Sequence, residues 1–422
     1  MLLAFLLHLL SIKAEGSVEM LKQIAWTANK MRREAGVSTR FLSAAEIEKA
    51  RAFHRSFPQY SETPLRSLKK MAEWLGVGAI YVKDESYRFG LNAFKVLGGS
   101  FAIAKHLAKC LKADISELDY AALTSPKIRQ KLGEITFVTA TDGNHGRGVA
   151  WTARQLKQKA VVYMPKGSSP IRLANIRAEG ATASITDLNY DDAVRLAAEN
   201  ARKYGWVVVQ DTAWEGYEEI PAWIMQGYGT IAAEALEQLR RLGVEKPTHI
   251  LLQAGVGSFA GAVQGYFAAL FGSERPKTVI VEPDQADCLY RSVLAGDGKP
   301  HTVGGDMPTI MAGLACGEPN TIGWEILRDY SDVFLSCPDW VAAKGMRMLG
   351  NPLGDDARVI SGESGAVTMG VLPALLASDY LKAARESLGL DKNSHILLIS
   401  TEGDTDPERY RRIVWDGEYP SF

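Results

Sequence analysis

Residues 79–100, AIYVKDESYRFGLNAFKVLGGS, contain a strand, a loop and the start of a helix. Ala79–Val82 is a short apolar run typical of a strand, and Val96–Ser100 opens a helix of small and apolar residues. Lys95 lies at the junction, and the next charged residue is Lys105. Because apolar neighbours disfavour an ammonium ion, the sequence predicts a neutral, nucleophilic amine at Lys95. The alternative is a lysine that extends from the helix start into solvent.

Strands and helices alternate along the rest of the chain. This alternation predicts an α/β fold with a parallel sheet and with functional groups at the carboxyl ends of its strands. Residues 20–57, 190–203 and 225–242 have the apolar spacing of amphipathic helices. The predicted strands are Ala79–Lys83, Ile135–Ala140, Ala160–Met164, Thr182–Ile185, Val207–Gln210, His249–Gln253, Thr278–Glu282 and His395–Ser400.

The chain of 422 residues is long enough for two domains. Since no flexible linker interrupts it, we expect the smaller domain to be inserted in the larger one. The predicted large domain comprises residues 20–105 and 223–422, and the small domain comprises residues 106–222.

Composition favours a cytoplasmic enzyme. The 48 basic and 49 acidic residues give a net charge of -1, which argues against nucleic-acid and membrane binding. The four cysteines form no C-x-x-C pair, and the histidines lack metal-ligand spacing, so no metal is expected. Reduced, buried thiols are the favoured interpretation, although the sequence leaves a disulfide between Cys288 and Cys316 open.

The first ten residues form a mostly apolar run without a preceding basic segment. The run resembles the core of an export signal but is too short to span a bilayer. We expect Met20 to be the natural start and residues 1–19 to be an extension outside the natural protein. A frayed extension and a true export signal are the alternatives.

A glycine-rich turn follows the predicted strand that ends at Ala140. Its sequence, TDGNHGRG at residues 141–148, leads into a helix whose first N–H groups favour an anion such as a carboxylate. Asn144 could donate a hydrogen bond to a ring oxygen, and Asp142 adds a carboxylate beside the anion site. His145 is expected to form a pocket wall or a turn hydrogen bond. The alternative is a tight turn in which the aspartate caps the helix.

A second glycine-rich loop, QAGVGSFAG at residues 253–261, also joins a strand to a helix. Successive backbone N–H groups and the Ser258 hydroxyl at a helix N-terminus are suited to a single phosphate. A dinucleotide-binding loop, with Glu282 ending the next strand, is one alternative. A strand-to-helix turn without a ligand is the other.

Two further strands end in polar side chains, Asp211 in one and Thr401 in the other. Taken together, the segments resemble fold-type II pyridoxal-phosphate enzymes, the group that includes the tryptophan synthase β chain. More closely, they resemble the diaminopropionate ammonia-lyase family. The resemblance runs from about Phe41 to Asp416. The segments that carry it are residues 83–86, 88–95, 141–148, 210–217, 310–318 and 400–406.

The resemblance implies a large parallel-sheet domain, an inserted α/β domain and a site in the cleft between them. It implies that Lys95 carries pyridoxal 5′-phosphate as an internal aldimine and later returns as an acid–base group. It also implies that Asp142 and Asp211 take part in substrate recognition and proton removal, with Asp142 serving the D-isomer and Lys95 the L-isomer. The other implied cofactor contacts are Gly255, Val256, Gly257 and Ser258 for the phosphate, Asn144 for the ring 3-hydroxyl and Thr401 for the pyridine nitrogen. The implied substrate contacts are Thr141, Asp142, His145 and Asp211.

The expected reaction is α,β-elimination of ammonia from 2,3-diaminopropionate, which gives pyruvate and a second ammonia. Dehydratases of this fold commonly have a small residue at the position of Asp142. A carboxylate there suits an amine leaving group, which departs well only when protonated. A homodimer is expected from the resemblance. The alternatives are a serine or threonine dehydratase, a catalytically silent cofactor-binding homologue and, less favoured, a nicotinamide oxidoreductase.

Overall fold

A computed structural model describes residues 19–421 of the chain. Almost all of the expected extension, residues 1–19, lies outside this range. No helix among the described residues is long and apolar enough to cross a membrane. All four cysteines are free, so Cys288 and Cys316 are not paired.

The strands within residues 19–421 form two separate sheets. The seven-stranded sheet has the order β1-β10-β9-β8-β11-β3-β2, with antiparallel pairing only at its edge strands β1 and β2. The four-stranded sheet has the order β6-β5-β4-β7 and is parallel throughout. The strands are β1 Ala25–Ala28, β2 Leu65–Ser67, β3 Ala79–Asp84, β4 Thr136–Ala140, β5 Lys159–Met164, β6 Thr182–Ile185, β7 Val207–Val208, β8 His249–Gln253, β9 Lys277–Pro283, β10 Val333–Cys337 and β11 His395–Ser400.

The helices connect successive strands and cover the sheets. The central strands of the larger sheet are buried apolar runs, as a parallel sheet covered on both faces requires. The helices are α1 Ala44–Arg55, α2 Lys69–Leu75, α3 Val96–Leu111, α4 Tyr120–Thr124, α5 Pro126–Leu132, α6 Asn144–Gln155, α7 Pro170–Ala178, α8 Tyr190–Tyr204, α9 Glu219–Arg241, α10 Ser258–Phe271, α11 Cys288–Ala295, α12 Thr321–Tyr330, α13 Asp339–Gly350, α14 Glu363–Ala377, α15 Lys382–Leu388 and α16 Pro407–Val414.

All eight predicted strands are present, and the predicted α/β class is confirmed. The structure adds β1, β2 and β10, which the sequence analysis missed. The prediction of helix over residues 20–57 is wrong at β1, because Ala25–Ala28 pairs antiparallel with β10 through tertiary contacts. The four-stranded sheet is built entirely within residues 106–222, whereas the domain boundaries themselves stay a prediction.

A buried ion network anchors the turn that follows β3. The carboxylate of Glu234, on α9, accepts hydrogen bonds from Lys83 Nζ at 2.7 Å and from Arg88 Nη2 at 2.7 Å. Arg88 Nε also donates to Glu85 Oε2 at 2.8 Å. The side chains of all four residues are fully buried. The network fixes the start of the segment that leads to Lys95, because Glu85 and Arg88 lie within that turn.

Candidate active site

Lys95 immediately precedes α3, and its ammonium contacts a carboxylate from another strand end. Its Nζ donates to Asp211, which follows β7, and 18% of the Lys95 side chain is exposed. Burial lowers the pKa of Lys95, but the charge and hydrogen bond of Asp211 outweigh it and raise that pKa above its ordinary value. The predicted neutral amine is therefore wrong, because the sequence does not show how close Asp211 lies to Lys95.

The loop at residues 255–258 faces the same cavity as Lys95. Gly257 has φ +94°, a left-handed conformation that favours glycine. A Cβ on Gly255 would lie 3.2 Å from Leu314 Cα, so the loop approaches that backbone closely. The first N–H groups of α10 have no acceptor within the helix and are suited to a phosphate.

The Ser258 hydroxyl already has partners within the chain. Its Oγ donates to the backbone carbonyl of Asp211 and accepts from Asn320 Nδ2 at 2.7 Å. Ser258 therefore ties the start of α10 to the Asp211 strand end. Within the loop, backbone N–H groups are the donors that remain for an anion.

Asn144 and Thr401 both line the cavity. Asn144 Nδ2 donates to the carboxylate of Glu402, which is 3% exposed. Gln253 Nε2 donates to Thr401 Oγ1 at 2.8 Å. Because the Thr401 oxygen accepts this bond, its own proton remains available for another acceptor.

One cavity brings these side chains together, and its polar lining suits pyridoxal phosphate. Buried polar atoms of the lining such as Gln253 Oε1 and Ser364 Oγ have no hydrogen-bond partner among the described residues, as expected of groups that face a polar ligand. The cavity combines a lysine, an N-terminal helix turn and a free hydroxyl proton. The predicted site residues that line it are Lys95, Asn144, Asp211, Gly255, Val256, Gly257, Ser258 and Thr401.

Thr141 and His145 lie outside this lining and hold the glycine-rich turn in place. Thr141 Oγ1 accepts from the N–H groups of Gly143 at 2.9 Å and Gly146 at 3.1 Å. His145 Nε2 donates to the carbonyl of Val209 at 2.7 Å. Burial lowers the pKa of His145, so its ring is neutral and Nε2 carries the proton.

Asp142 lies in an adjoining cleft that shares Tyr190 with the cavity. A Cβ on Gly313 would stand 3.9 Å from Asp142 Oδ2 and 3.1 Å from Ser364 Oγ. Arg172 Nη1 donates to Asp142 Oδ2 at 3.2 Å. The carboxylate is therefore close to the cavity but is held by an arginine.

The sequence analysis missed several polar residues that the fold brings to the site. Gln253, Cys316 and Glu402 lie within site segments that the sequence analysis singled out without giving these residues a role, whereas Arg172, Tyr190 and Ser364 lie outside those segments. The missed residues are Arg172, Tyr190, Gln253, Cys316, Ser364 and Glu402.

The geometry does not support a dinucleotide site. Glu282, which the alternative assigns to a ribose, is fully buried. Its carboxylate accepts hydrogen bonds from the backbone N–H groups of Leu289 at 2.9 Å and Tyr290 at 2.6 Å, in the first turn of α11. This glutamate therefore caps a helix.

Comparisons with known proteins agree with the cofactor chemistry of the cavity. A family model described as pyridoxal-phosphate dependent enzyme matches residues 57–392. The diaminopropionate ammonia-lyase of Salmonella typhimurium is 58% identical over 367 residues, which cover 87% of this chain and 91% of that protein. The crystal structure of holo diaminopropionate ammonia lyase from Escherichia coli is similar at a TM-score of 0.88 and 51% identity, covering 94% of this chain and 98% of that one.

A further Escherichia coli structure, of diaminopropionate ammonia lyase in complex with an aminoacrylate-PLP azomethine reaction intermediate, has a TM-score of 0.86 at 50% identity and the same coverage. These relatives favour the ammonia-lyase prediction over the dehydratase and silent-homologue alternatives. The chain belongs to the family of pyridoxal-phosphate dependent enzymes and, within it, to the diaminopropionate ammonia-lyases.

Proposed function

We propose that the chain catalyses α,β-elimination of 2,3-diaminopropionate, releasing pyruvate and two molecules of ammonia. The observation that carries the proposal is the cavity in which Lys95 and Asp211 meet the glycine loop at the start of α10. The high identity to named ammonia-lyases supports the choice of substrate.

The residues of the cavity can hold the cofactor at each of its polar ends. Lys95 is positioned to bond its carbonyl carbon, and the loop at residues 255–258 to hold its phosphate. Asn144 is assigned to the ring 3-hydroxyl, and Thr401 can donate its free proton to the pyridine nitrogen. When bound, pyridoxal phosphate supplies an electron sink for the negative charge that develops at the substrate α-carbon.

The carboxylates of the chain suit a substrate with two amino groups. Lys95 Nζ donates a hydrogen bond to the Asp211 carboxylate, and this contact favours the protonated form of the lysine. Burial raises the pKa of Asp211, but the neighbouring Lys95 charge lowers it well below its usual range, so this carboxylate stays ionised. Once Lys95 has given up that extra proton, its neutral amine can accept the α-proton of the L-isomer, whereas Asp142 is assigned the α-proton of the D-isomer. Asp142 also attracts the departing ammonium group and keeps it protonated.

Assembly, compartment and domain boundaries belong to the same proposal. We assign a homodimer on the family resemblance and the cytoplasm on the four free thiols, which suit a reducing compartment. The small domain spans residues 106–222 and the large one residues 20–105 and 223–422, a division supported by the separate sheets. Light scattering of the purified protein measures the assembly, and limited proteolysis maps the boundaries.

The test of function uses purified holoenzyme and separate D- and L-isomers of 2,3-diaminopropionate. We expect an absorbance band of bound cofactor that changes on substrate addition, with two ammonia formed per pyruvate. Serine and threonine serve as comparison substrates, and we expect slower turnover of both. A cofactor band without pyruvate from either diaminopropionate isomer would refute the proposed reaction.

A further inference from the structure

Arg172 is a buried cation beside the proposed D-isomer base. It lies on α7, is 6% exposed and donates from Nη1 to Asp142 Oδ2 at 3.2 Å. Its Nη2 donates to Thr405 Oγ1 at 3.3 Å, in the segment after β11. The guanidinium therefore links two segments. One is the turn after β4, which contains Asp142, and the other is the segment after β11, which contains Thr401 and Thr405.

The local backbone makes room for this arginine. Gly143, the residue after Asp142, would place a Cβ 2.8 Å from Arg172 Cδ. Any larger residue at position 143 would have to displace the arginine stem. The turn and the arginine are thus packed as one unit, which fixes where the Asp142 carboxylate can stand.

The charges around Arg172 are mainly negative. Burial lowers the pKa of Arg172, but four carboxylates outweigh it and raise that pKa, so the side chain is a permanent cation. Because the carboxylates outnumber the single guanidinium, a further anion from the substrate would compete poorly for it. The second amino group of the substrate, as an ammonium, would instead be attracted to these carboxylates. The four carboxylates are Asp142, Glu363, Glu402 and Asp406.

We propose that Arg172 is a positioning residue for D-isomer turnover, which holds the Asp142 carboxylate in place beside the cavity and leaves one of its oxygens free for the reaction. Arg172 occupies Asp142 Oδ2, and the other carboxylate oxygen is left to accept a proton or an ammonium hydrogen bond. The L-isomer depends on Lys95, which has its own carboxylate partner in Asp211. This inference rests on the proposed function, and it adds a determinant of isomer preference outside the sequence motifs.

The experiment compares kcat and KM for D- and L-diaminopropionate in Arg172→Gln, Arg172→Lys, Asp142→Asn and the double variant Asp142→Asn/Arg172→Gln. Since general acid–base groups contribute about 10²–10⁴-fold, we expect Asp142→Asn to lose D-isomer kcat about 100-fold and Arg172→Gln at least about 10-fold. L-isomer kcat should change by less than about threefold in Arg172→Gln, a split that a general loss of folding would not give. Arg172→Lys should retain more D-isomer turnover than Arg172→Gln, because it keeps the cation.

The double variant supplies the sharpest criterion. If Arg172 acts through Asp142, the double variant should lose no more D-isomer turnover than Asp142→Asn alone. Additive losses would overturn the proposal. A rise in KM for both isomers without a change in kcat would also overturn it, and would identify Arg172 as a contact for the substrate carboxylate.

Arg177→Gln is the matched control. Arg177 lies on the same helix but donates to the carbonyl of Ala183, at 3.0 Å from Nε and 2.8 Å from Nη2. It should leave both isomers unaffected. The cofactor absorbance of each variant reports whether the site is intact, and if Arg172→Gln does not fold, Arg172→Lys gives the same comparison. Wild-type enzyme that forms no pyruvate would refute the proposed function, whereas normal wild-type turnover with equal losses for both isomers refutes only the inference.

Discussion

Replacing Glu234 by glutamine is expected to destabilise the fold more than any surface charge change on the same helix. The substitution keeps the size of the side chain but removes the charge that faces both Lys83 and Arg88. Neither cation has access to solvent in the folded chain. Removing one partner of a buried ion pair costs about 3–5 kcal/mol, because the remaining charge stays buried without compensation.

The network also predicts a pH dependence. Burial raises the pKa of Glu234, but Arg88 and Lys83 lower it well below the usual value. A carboxylate with a depressed pKa stabilises the fold fully above its unfolded value of 4.5, and loses that contribution as pH falls toward its folded value. The stability difference between wild type and Glu234→Gln should therefore be complete at pH 7 and shrink below about pH 4.5.

The measurement is urea unfolding at a fixed protein concentration, followed by tryptophan fluorescence at pH 7 and pH 4. Glu219→Gln is the matched control, since Glu219 lies on the same helix and pairs with Lys109 while both side chains are more than half exposed. An exposed pair contributes about 0–1 kcal/mol. Equal, small losses in the two variants would refute the argument that the buried network stabilises the turn before Lys95.

Three further predictions concern the cavity and its surroundings. Lys95→Ala should abolish both the cofactor band and pyruvate formation, as measured by absorbance and a coupled assay; normal turnover would exclude Lys95 as the cofactor lysine. Asp211→Asn removes the carboxylate that raises the Lys95 pKa, so the pH midpoint for incorporation of pyridoxal phosphate into cofactor-free protein should move down; an unchanged midpoint would contradict the ion pair. Burial and the nearby Glu402 raise the pKa of Glu363 to about 7, so the folded chain binds more protons than the unfolded chain between pH 4.5 and 7 and loses stability as pH rises through that window. Glu363→Gln should remove this pH dependence, and its free energy of unfolding should exceed that of wild type by about 1–3 kcal/mol at pH 8, as measured by thermal unfolding. Parallel pH profiles of stability for the variant and wild type would contradict the argument.

The parts of the fold that follow from local pattern were predictable. The strand His249–Gln253 is a largely apolar run bounded by turns, and its bounds are predicted to the residue. β1 was not predictable in this way, because its four half-buried residues are a strand only through pairing with β10. The register between distant strands is a property of tertiary packing.

The same distinction applies to the site. Glycine loops and polar groups at strand ends can be recognised in the sequence. The structure brings seven of those residues, together with Lys95, into one cavity. The charge state of Lys95 depends on Asp211, which is 116 positions away, and Arg172 carries no motif of its own. The apolar residues near Lys95 in the sequence predict a lowered pKa, which is wrong. Asp211, which is distant in the sequence, outweighs the effect of burial and raises that pKa.

The antiparallel strand β1 has a consequence for how molecules of this chain meet one another. β10 is buried along its whole length, and β1 occupies its outer hydrogen-bonding edge from Ala25 opposite Ser336 to Ala28 opposite Val333. A chain shortened past Ala28 would present an unpaired, apolar edge that can add a strand from a neighbouring molecule. The four residues Ala25–Ala28 thus prevent strands of other molecules from pairing with β10. A truncation that removes them would promote aggregation even with every active-site residue in place.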